Sequence, residues 1–402
     1  MFRLTLPVKS ETVAFLQPTM AGVLAAVVGF ASAFTVVLQG LAGVGATPAE
    51  AASGLLAVCI GQGVLGVFLS LRHRQPITIA WSTSGAALLM GTGIPHGGFG
   101  VAVSAFLIAG ILTVLAGLWR PLARAVAAIP LSLASAMLAG VLMTLCLAPI
   151  KAVAHFPALV LPIILAWAVG WCVARRYAVL LAVAVTIIVV FATTTLPANS
   201  MGLLQPRIIF VRPVGDISAA ISIAIPLFIV TMASQNLPGM AVLKTNGFKP
   251  PVGEIFLTTG LGSLPVALIG GLSLNLSAIT AALCAGPEAG PDPQKRYAAS
   301  VAAGVTYIGL GLLAGLAAAF IMASPPLLIQ TVAGLALLSS LVAAMTATLT
   351  HETHRLAAIV TFITAASGVS ILGVGSPLWG LVAGISLLSL EKAAVTLKNR
   401  RV

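Results

Sequence analysis

Charge is the scarcest commodity in this sequence. Of 402 residues only 7% are Asp, Glu, Lys or Arg, and the acids number eight. A soluble globular domain carries about 25% charged residues, so that class is excluded. With 59% hydrophobic residues and a mean hydropathy of +1.14, apolar runs recur from end to end. Runs of about 20 residues cross a hydrocarbon core of about 30 Å. The sequence therefore reads as an all-α polytopic membrane protein. The N-terminal MFRLTLPVKSETV has no apolar h-region, so no cleavable signal peptide is expected. Cys59, Cys146, Cys172 and Cys284 show no paired spacing and read as small apolar fillers within spans. The histidines, His73, His96, His155, His351 and His354, fall at span ends or in loops. An intramembrane enzyme would need a nucleophile–base pair or metal cluster within the spans, so this pattern argues against one. No cofactor or metal is expected.

What is present is a series of apolar segments near 17–39, 50–70, 77–91, 98–119, 126–148, 156–174, 178–196, 218–243, 252–272, 275–286, 297–322, 327–348, 356–374 and 377–396. They make about fourteen transmembrane segments, the third and tenth unusually short. With a cytoplasmic N-terminus, seventeen of the twenty Lys and Arg residues lie inside, and Lys151, Arg207 and Arg212 lie outside. That is a strong positive-inside pattern, with both termini cytoplasmic. The net charge of +12 thus reports topology and contact with anionic membrane lipids, not a nucleic-acid partner.

The two seven-span halves echo one another. LAGL recurs at 115–118 and 313–316, and Ala86-Ala87-Leu88 of span three matches Ala281-Ala282-Leu283 of span ten. An odd number of spans per half forces the halves into opposite orientation, the arrangement of inverted-repeat transporters. Both short spans read as an extended piece entering a half-helix. Ile77–Trp81 alternates β-branched residues, Ser82-Thr83-Ser84 offers caps, and GAALLM follows; in the second half Leu274-Asn275-Leu276 precedes Ser277 and AITAALCAG. Extended backbone at membrane depth is tolerated only when buried in protein or lining a cavity. Two half-helix N-termini aimed at one point would make an anion site. Span eight ends in TMASQNLPGM (231–240), where Pro238 deprives the Ser234 carbonyl of its helical partner. Gly239 permits close approach of backbone or ligand, and Gln235 and Asn236 supply uncharged amides. This helix would form the third wall. Interhelical glue is the structural alternative for these amides.

SQNLPGMAVLKTNGFKPP (234–251), PITIAWSTSGAALL (76–89) and ITAALCAGPEAGPDPQKRY (279–297) resemble the benzoate/proton symporter family known as BenE, over essentially the whole chain. The resemblance implies import of benzoate or a similar aromatic carboxylate across the bacterial inner membrane. It also implies the uracil-permease type of fold, with fourteen spans in two inverted repeats. A core domain would comprise 17–120 and 218–322 (spans 1–4 and 8–11). A gate domain would comprise 121–217 and 323–402 (spans 5–7 and 12–14), after an N-terminal cytoplasmic segment, 1–16. Substrate would lie between spans three and ten, contacted by span eight. Gln235 stands where nucleobase permeases of this fold carry an acidic ligand. Related folds often dimerise through the gate domain, so a homodimer is among the expectations. Ser84 departs from the family's AWSTPGAA pattern, which has Pro there, and bears on local binding at that half-helix start.

A carboxylic acid titrates near about 4, so such a substrate is an anion at neutral pH. Its charge would be met by the half-helix dipoles, the hydroxyls of Ser82, Thr83 and Ser277, and the amides of Gln235 and Asn275, with Asn236 adjacent. Phe30, Phe34 and Trp81 would receive the ring, and Ser32 lies deep enough in span one to face it. No acid sits mid-span, which suits an anionic substrate. The proton carrier is left open among Glu254, Glu288, His351 and the substrate carboxylate itself. Another organic anion or a nucleobase on the same fold, or a passive anion channel, are the alternative functions. Gly61–Gly66 matches GxGxxG without a preceding strand and reads as helix packing; His351–His354 reads as a solvated turn.

Overall fold

The computed structural model describes residues 8–119, 130–173, 175, 178–193, 207–277, 279–369 and 376–399. The first half holds α1 (Val8–Gly43), α2 (Pro48–His73), β1 (Ile79–Trp81), α3 (Thr83–Met90), α4 (Phe99–Leu118), α5 (Leu131–Cys146), α6 (Ala148–His155), α7 (Pro157–Val173) and α8 (Ala178–Thr193). The second holds α9 (Ile217–Thr231), a π-helical turn (Met232–Asn236), α10 (Leu237–Thr245), α11 (Val252–Leu268), β2 (Leu274–Leu276) and α12 (Ile279–Ala285). It continues through α13 (Tyr297–Gly311), α14 (Ala314–Ala323), α15 (Pro326–Thr348), α16 (Arg355–Ala366) and α17 (Ser376–Asn399).

Helix starts follow local chemistry. At α2 the Thr47 hydroxyl accepts from the Glu50 N–H at 3.3 Å and the Glu50 carboxylate accepts from the Thr47 N–H at 2.8 Å, a reciprocal capping box with Pro48 in the first turn. One of the eight acids is thereby a structural cap. The principal packings run α11 on α4, α13 on α2, α1 on α13 and α3, α15 on α5, and α16 on α5 and α17. The GxGxxG stretch is a helix contact: a Cβ at Gly63 would lie 2.5 Å from the Gly304 carbonyl oxygen, so α2 and α13 touch backbone to backbone.

β1 and β2 pair antiparallel, with Ile79 opposite Leu276, Ala80 opposite Asn275 and Trp81 opposite Leu274, all six buried. A two-stranded ribbon has two unpaired edges, and a buried edge needs partners. Neighbouring helices supply them. Trp81 N–H donates to Gln62 Oε1 of α2 at 2.8 Å, Leu274 N–H to Ser263 Oγ of α11 at 2.9 Å, and Leu276 N–H to Asn236 Oδ1 of the π turn at 2.9 Å. Each strand feeds a half-helix, as the sequence suggests. Ser82 caps α3 by accepting from Gly85 N–H at 3.0 Å, and Ser277 accepts from Thr280 N–H at 3.1 Å at the start of α12.

Two expected helices differ in detail. The segment at 218–243 does not part at Pro238. It runs on through the π turn, where Leu237 N–H reaches back five residues to the Met232 carbonyl, and Pro238 takes the first turn of α10, where a missing N–H costs little. The segment at 297–322 is broken after Gly311, and its two parts bend by 56°. Among the described residues, six helices are long and apolar enough to cross a membrane, or seven if that bent pair is one span. Pro157–Val173, Ala178–Thr193, Val252–Leu268 and Ser376–Glu391 are apolar but shorter.

Candidate substrate cavity

A cavity of about 190 Å³ lies where α1, β1, α3, the π turn and α13 face α7, α8 and α15. Among the residues anticipated from sequence, Ser32, Trp81, Thr83, Gln235 and Ser277 line it. Ser32 donates its hydroxyl to the Gly29 carbonyl at 3.0 Å while facing the space. Gln235 sits on the π turn, a widened helical turn of a kind that recurs at functional sites. Among the described residues no hydrogen bond holds its amide, which is buried against the cavity.

The other anticipated residues support the wall from behind. Ser82 is fully buried, and its Oγ accepts from both Gly85 N–H and the Thr231 hydroxyl, the latter at 2.8 Å. Asn236 holds the β2 edge through Oδ1 and directs Nδ2 to Met232 Sδ at 3.4 Å, so it is interhelical glue. Asn275 Nδ2 donates to the Leu276 carbonyl at 3.0 Å, while its Oδ1 is buried without a partner. Ser84 is buried on α3, off the lining. Phe30 stacks on Phe34 with centroids 5.4 Å apart and meets Trp81 edge-on at 6.0 Å. Trp81 in turn meets Tyr307 edge-on at 5.8 Å. Phe34, Phe30, Trp81 and Tyr307 thus form one aromatic run, of which the last two reach the cavity.

Of the candidate proton carriers, Glu254 and His351 lie elsewhere. Glu254, in the first turn of α11, pairs with Arg72 Nε at 2.6 Å and His73 Nε2 at 3.1 Å, outside the lining. Glu288 belongs to the 3₁₀ turn after α12, and its side chain lies outside the described residues. His351 precedes another exposed 3₁₀ turn. Among the described residues, no Asp, Glu or His lines the cavity.

Sequence reasoning missed several lining groups: Tyr307 and Thr280 on one side, Trp171, Arg175, Ser339 and Ser340 on the other. A signal for some was present. Tyr307 and the Ser339-Ser340 pair are polar interruptions deep in apolar spans, which by default mark an internal surface. Arg175 carried no such signal, because it reads as a loop cation. The structure brings it to the cavity, with its guanidinium carbon 4.4 Å from the centre of the Trp171 ring.

Comparison with known proteins agrees with this architecture. Two solved structures share the fold at low identity. The transmembrane domain of the cyanobacterium bicarbonate transporter BicA has a TM-score of 0.56 at 15% identity, covering 92% of this chain and 97% of that one. SLC26A9 has a TM-score of 0.58 at 12% identity, covering 92% of this chain and 65% of that one. The inner membrane protein YdcO of Escherichia coli (strain K12) is 38% identical over 91% of this chain and 94% of its own length. The benzoate membrane transport protein of Acinetobacter baylyi is 30% identical over 92% and 94% respectively. The family model described as benzoate membrane transport protein matches residues 14–390. With that match spanning almost its full length, the chain belongs to the BenE family of membrane transporters.

Proposed function

We propose that this chain imports benzoate or a similar aromatic monocarboxylate together with a proton, by alternating access at the cavity beside β1, β2 and the π turn. The observation that carries this reading is the cavity's composition. Hydroxyls of Ser32, Thr83 and Ser277 and the free amide of Gln235 face it beside the Trp81 and Tyr307 rings, with no acid in the lining. Uncharged donors meet a single carboxylate, and the rings meet an apolar body. About 190 Å³ suits one small ring better than a drug-sized ligand, for which pockets run from about 300 Å³ upward. A bare inorganic anion, the cargo in the name of the bicarbonate transporter, has no use for an aromatic wall.

The shorter apolar helices, α16 and the two half-helices would complete fourteen spans in two inverted repeats. Spans 1–4 and 8–11 form the core domain, and spans 5–7 and 12–14 the gate. Both termini face the cytoplasm of a bacterium, and a homodimer through the gate domain follows the habit of related folds. Moving one anion into a negative-inside cell costs about 2.3 kcal/mol per 100 mV, and one accompanying proton cancels that cost.

Uptake of radiolabelled benzoate into proteoliposomes tests this, with and without an inward-acid pH gradient and a protonophore. Accumulation only with the gradient, lost with protonophore, is expected. Absence of benzoate entry or competition under every gradient would overturn the substrate assignment.

A further inference from the structure

The cavity has two unlike walls. One is built from uncharged groups on α1, β1, the π turn and α13; the other, from α7, α8 and α15, includes Arg175. Among the described residues, Arg175 is the one Lys or Arg in the lining. Among the described residues it has no carboxylate partner, in contrast to Arg72 and Arg355, which pair with Glu254 and Glu352. What holds it is Trp171, one helical turn earlier on α7, whose ring lies 4.4 Å from the guanidinium carbon. Trp171 is itself stacked on Trp167, with centroids 5.3 Å apart and planes inclined by 24°. A guanidinium over an aromatic ring retains N–H donors to offer, and its planar fork matches a carboxylate in bidentate fashion. The cation is therefore braced by an aromatic ladder and lacks an anion.

We propose that Arg175 is a substrate-positioning residue: its guanidinium, braced by Trp171, receives the carboxylate of the transported acid at the mouth of the cavity. The inference rests on the reading of the cavity as the substrate path. Arg175 connects α7 to α8, and the distribution of basic residues assigns that connection to the cytoplasmic face. The carboxylate therefore leaves Gln235 for Arg175 on its way into the cell. A bound anion also ties α7 and α8 to the opposite wall, so occupancy and approach of the two walls are coupled.

The experiment is equilibrium binding of radiolabelled benzoate to the detergent-solubilised full chain, at low and high salt. It compares wild type, Arg175→Gln, Arg175→Lys and Trp171→Ala. A charge-assisted hydrogen bond exceeds a neutral one by an amount equivalent to roughly tenfold in affinity. Arg175→Gln is expected to weaken binding by about that factor and to flatten its salt dependence, because the screened charge is gone. Arg175→Lys should retain the salt dependence with intermediate affinity, since Lys keeps the charge without the planar fork. Trp171→Ala should lie between wild type and Arg175→Gln. Wild-type affinity and salt dependence in Arg175→Gln would overturn the inference while leaving the transport reading intact. If wild type itself binds no benzoate, the transport reading fails first and the assignment to Arg175 fails with it.

Discussion

The unit β1–α3 and the unit β2–α12 are built from the same parts and secured by different means. Each is a three-residue buried strand, a Ser cap and a short helix. Each strand edge is closed by a side-chain amide, Gln62 for Trp81 and Asn236 for Leu276. The far ends differ. After α3, Thr92 returns its hydroxyl to the Leu88 carbonyl at 2.9 Å, an interaction within one turn. After α12, the buried Arg296 donates Nη1 to the Ala285 carbonyl at 2.7 Å and Nε to the Gly290 carbonyl at 2.9 Å. A cation at a helix C-terminus meets the negative end of the dipole. The second half-helix is thus anchored by charge and the first by packing and a neutral hydrogen bond. Convergent half-helices need equivalent support at their strand ends, while their outer ends can be held by whatever the local sequence supplies.

Packing is common to both units, and breaking it should have the largest effect. A Cβ at Gly40 of α1 would run into the Ala86 carbonyl of α3, and one at Gly239 of α10 would lie 2.7 Å from the Ser277 carbonyl. Both obstacles are backbone, which cannot swing aside. Gly40→Val and Gly239→Val should each abolish benzoate uptake and cost about 1–3 kcal/mol or more of stability from overpacking. Uptake assays and thermal melts in detergent check both; normal transport by either variant would show that its unit is not held as described.

The anchor is where the comparison predicts inequality. Arg296→Met leaves two carbonyls without their charged donor and should cost about 2–3 kcal/mol. Thr92→Val removes one neutral bond and should cost about 1 kcal/mol or less. Thermal melts of the two variants, measured side by side, would contradict the asymmetry if the shifts were equal.

At the strand edges the comparison predicts a smaller inequality. Gln62→Leu and Asn236→Leu each strand one buried backbone N–H, at about 1–3 kcal/mol, but Gln62→Leu also removes a buried Nε2 without a partner, whereas Asn236 Nδ2 has Met232 Sδ. Asn236→Leu should therefore give the larger melting shift, and equal shifts would mean that Gln62 Nε2 finds a partner.

Much of this pair of units was legible in sequence, because each signal is local. Alternating β-branched residues at Ile77–Trp81 and hydroxyls at Ser82 and Ser277 mark a strand and a cap whatever surrounds them. The π turn was not legible. Pro238 announces that a carbonyl must lose its partner, yet whether the helix parts or widens depends on Asn236 finding the β2 edge. Tyr307 and Arg175 reach the cavity only through packing between elements far apart in the chain. Asn236, polar and beside the site, is turned to structural duty because a buried ribbon has edges that water cannot reach, and Ser82 because α3 needs a cap.

Asn275 is the place where sequence and structure can be set against each other most finely. It lies opposite Ala80 in the ribbon; Ala80 lines the cavity and Asn275 does not. The Asn275 Nδ2 bond to the Leu276 carbonyl contributes about 1 kcal/mol, while its orphaned Oδ1 carries a desolvation cost of about 1–3 kcal/mol. Asn275→Ala removes both terms, so stability should rise by about 0–2 kcal/mol. With no contact to the cavity lost, the KM for benzoate should stay as in wild type. A KM raised about tenfold, equivalent to about 1.4 kcal/mol, would mean that Oδ1 accepts its missing hydrogen bond during transport. Substrate contact through Asn275, as its position before Ser277 suggests in the sequence, would then belong to a conformation with the two walls differently disposed.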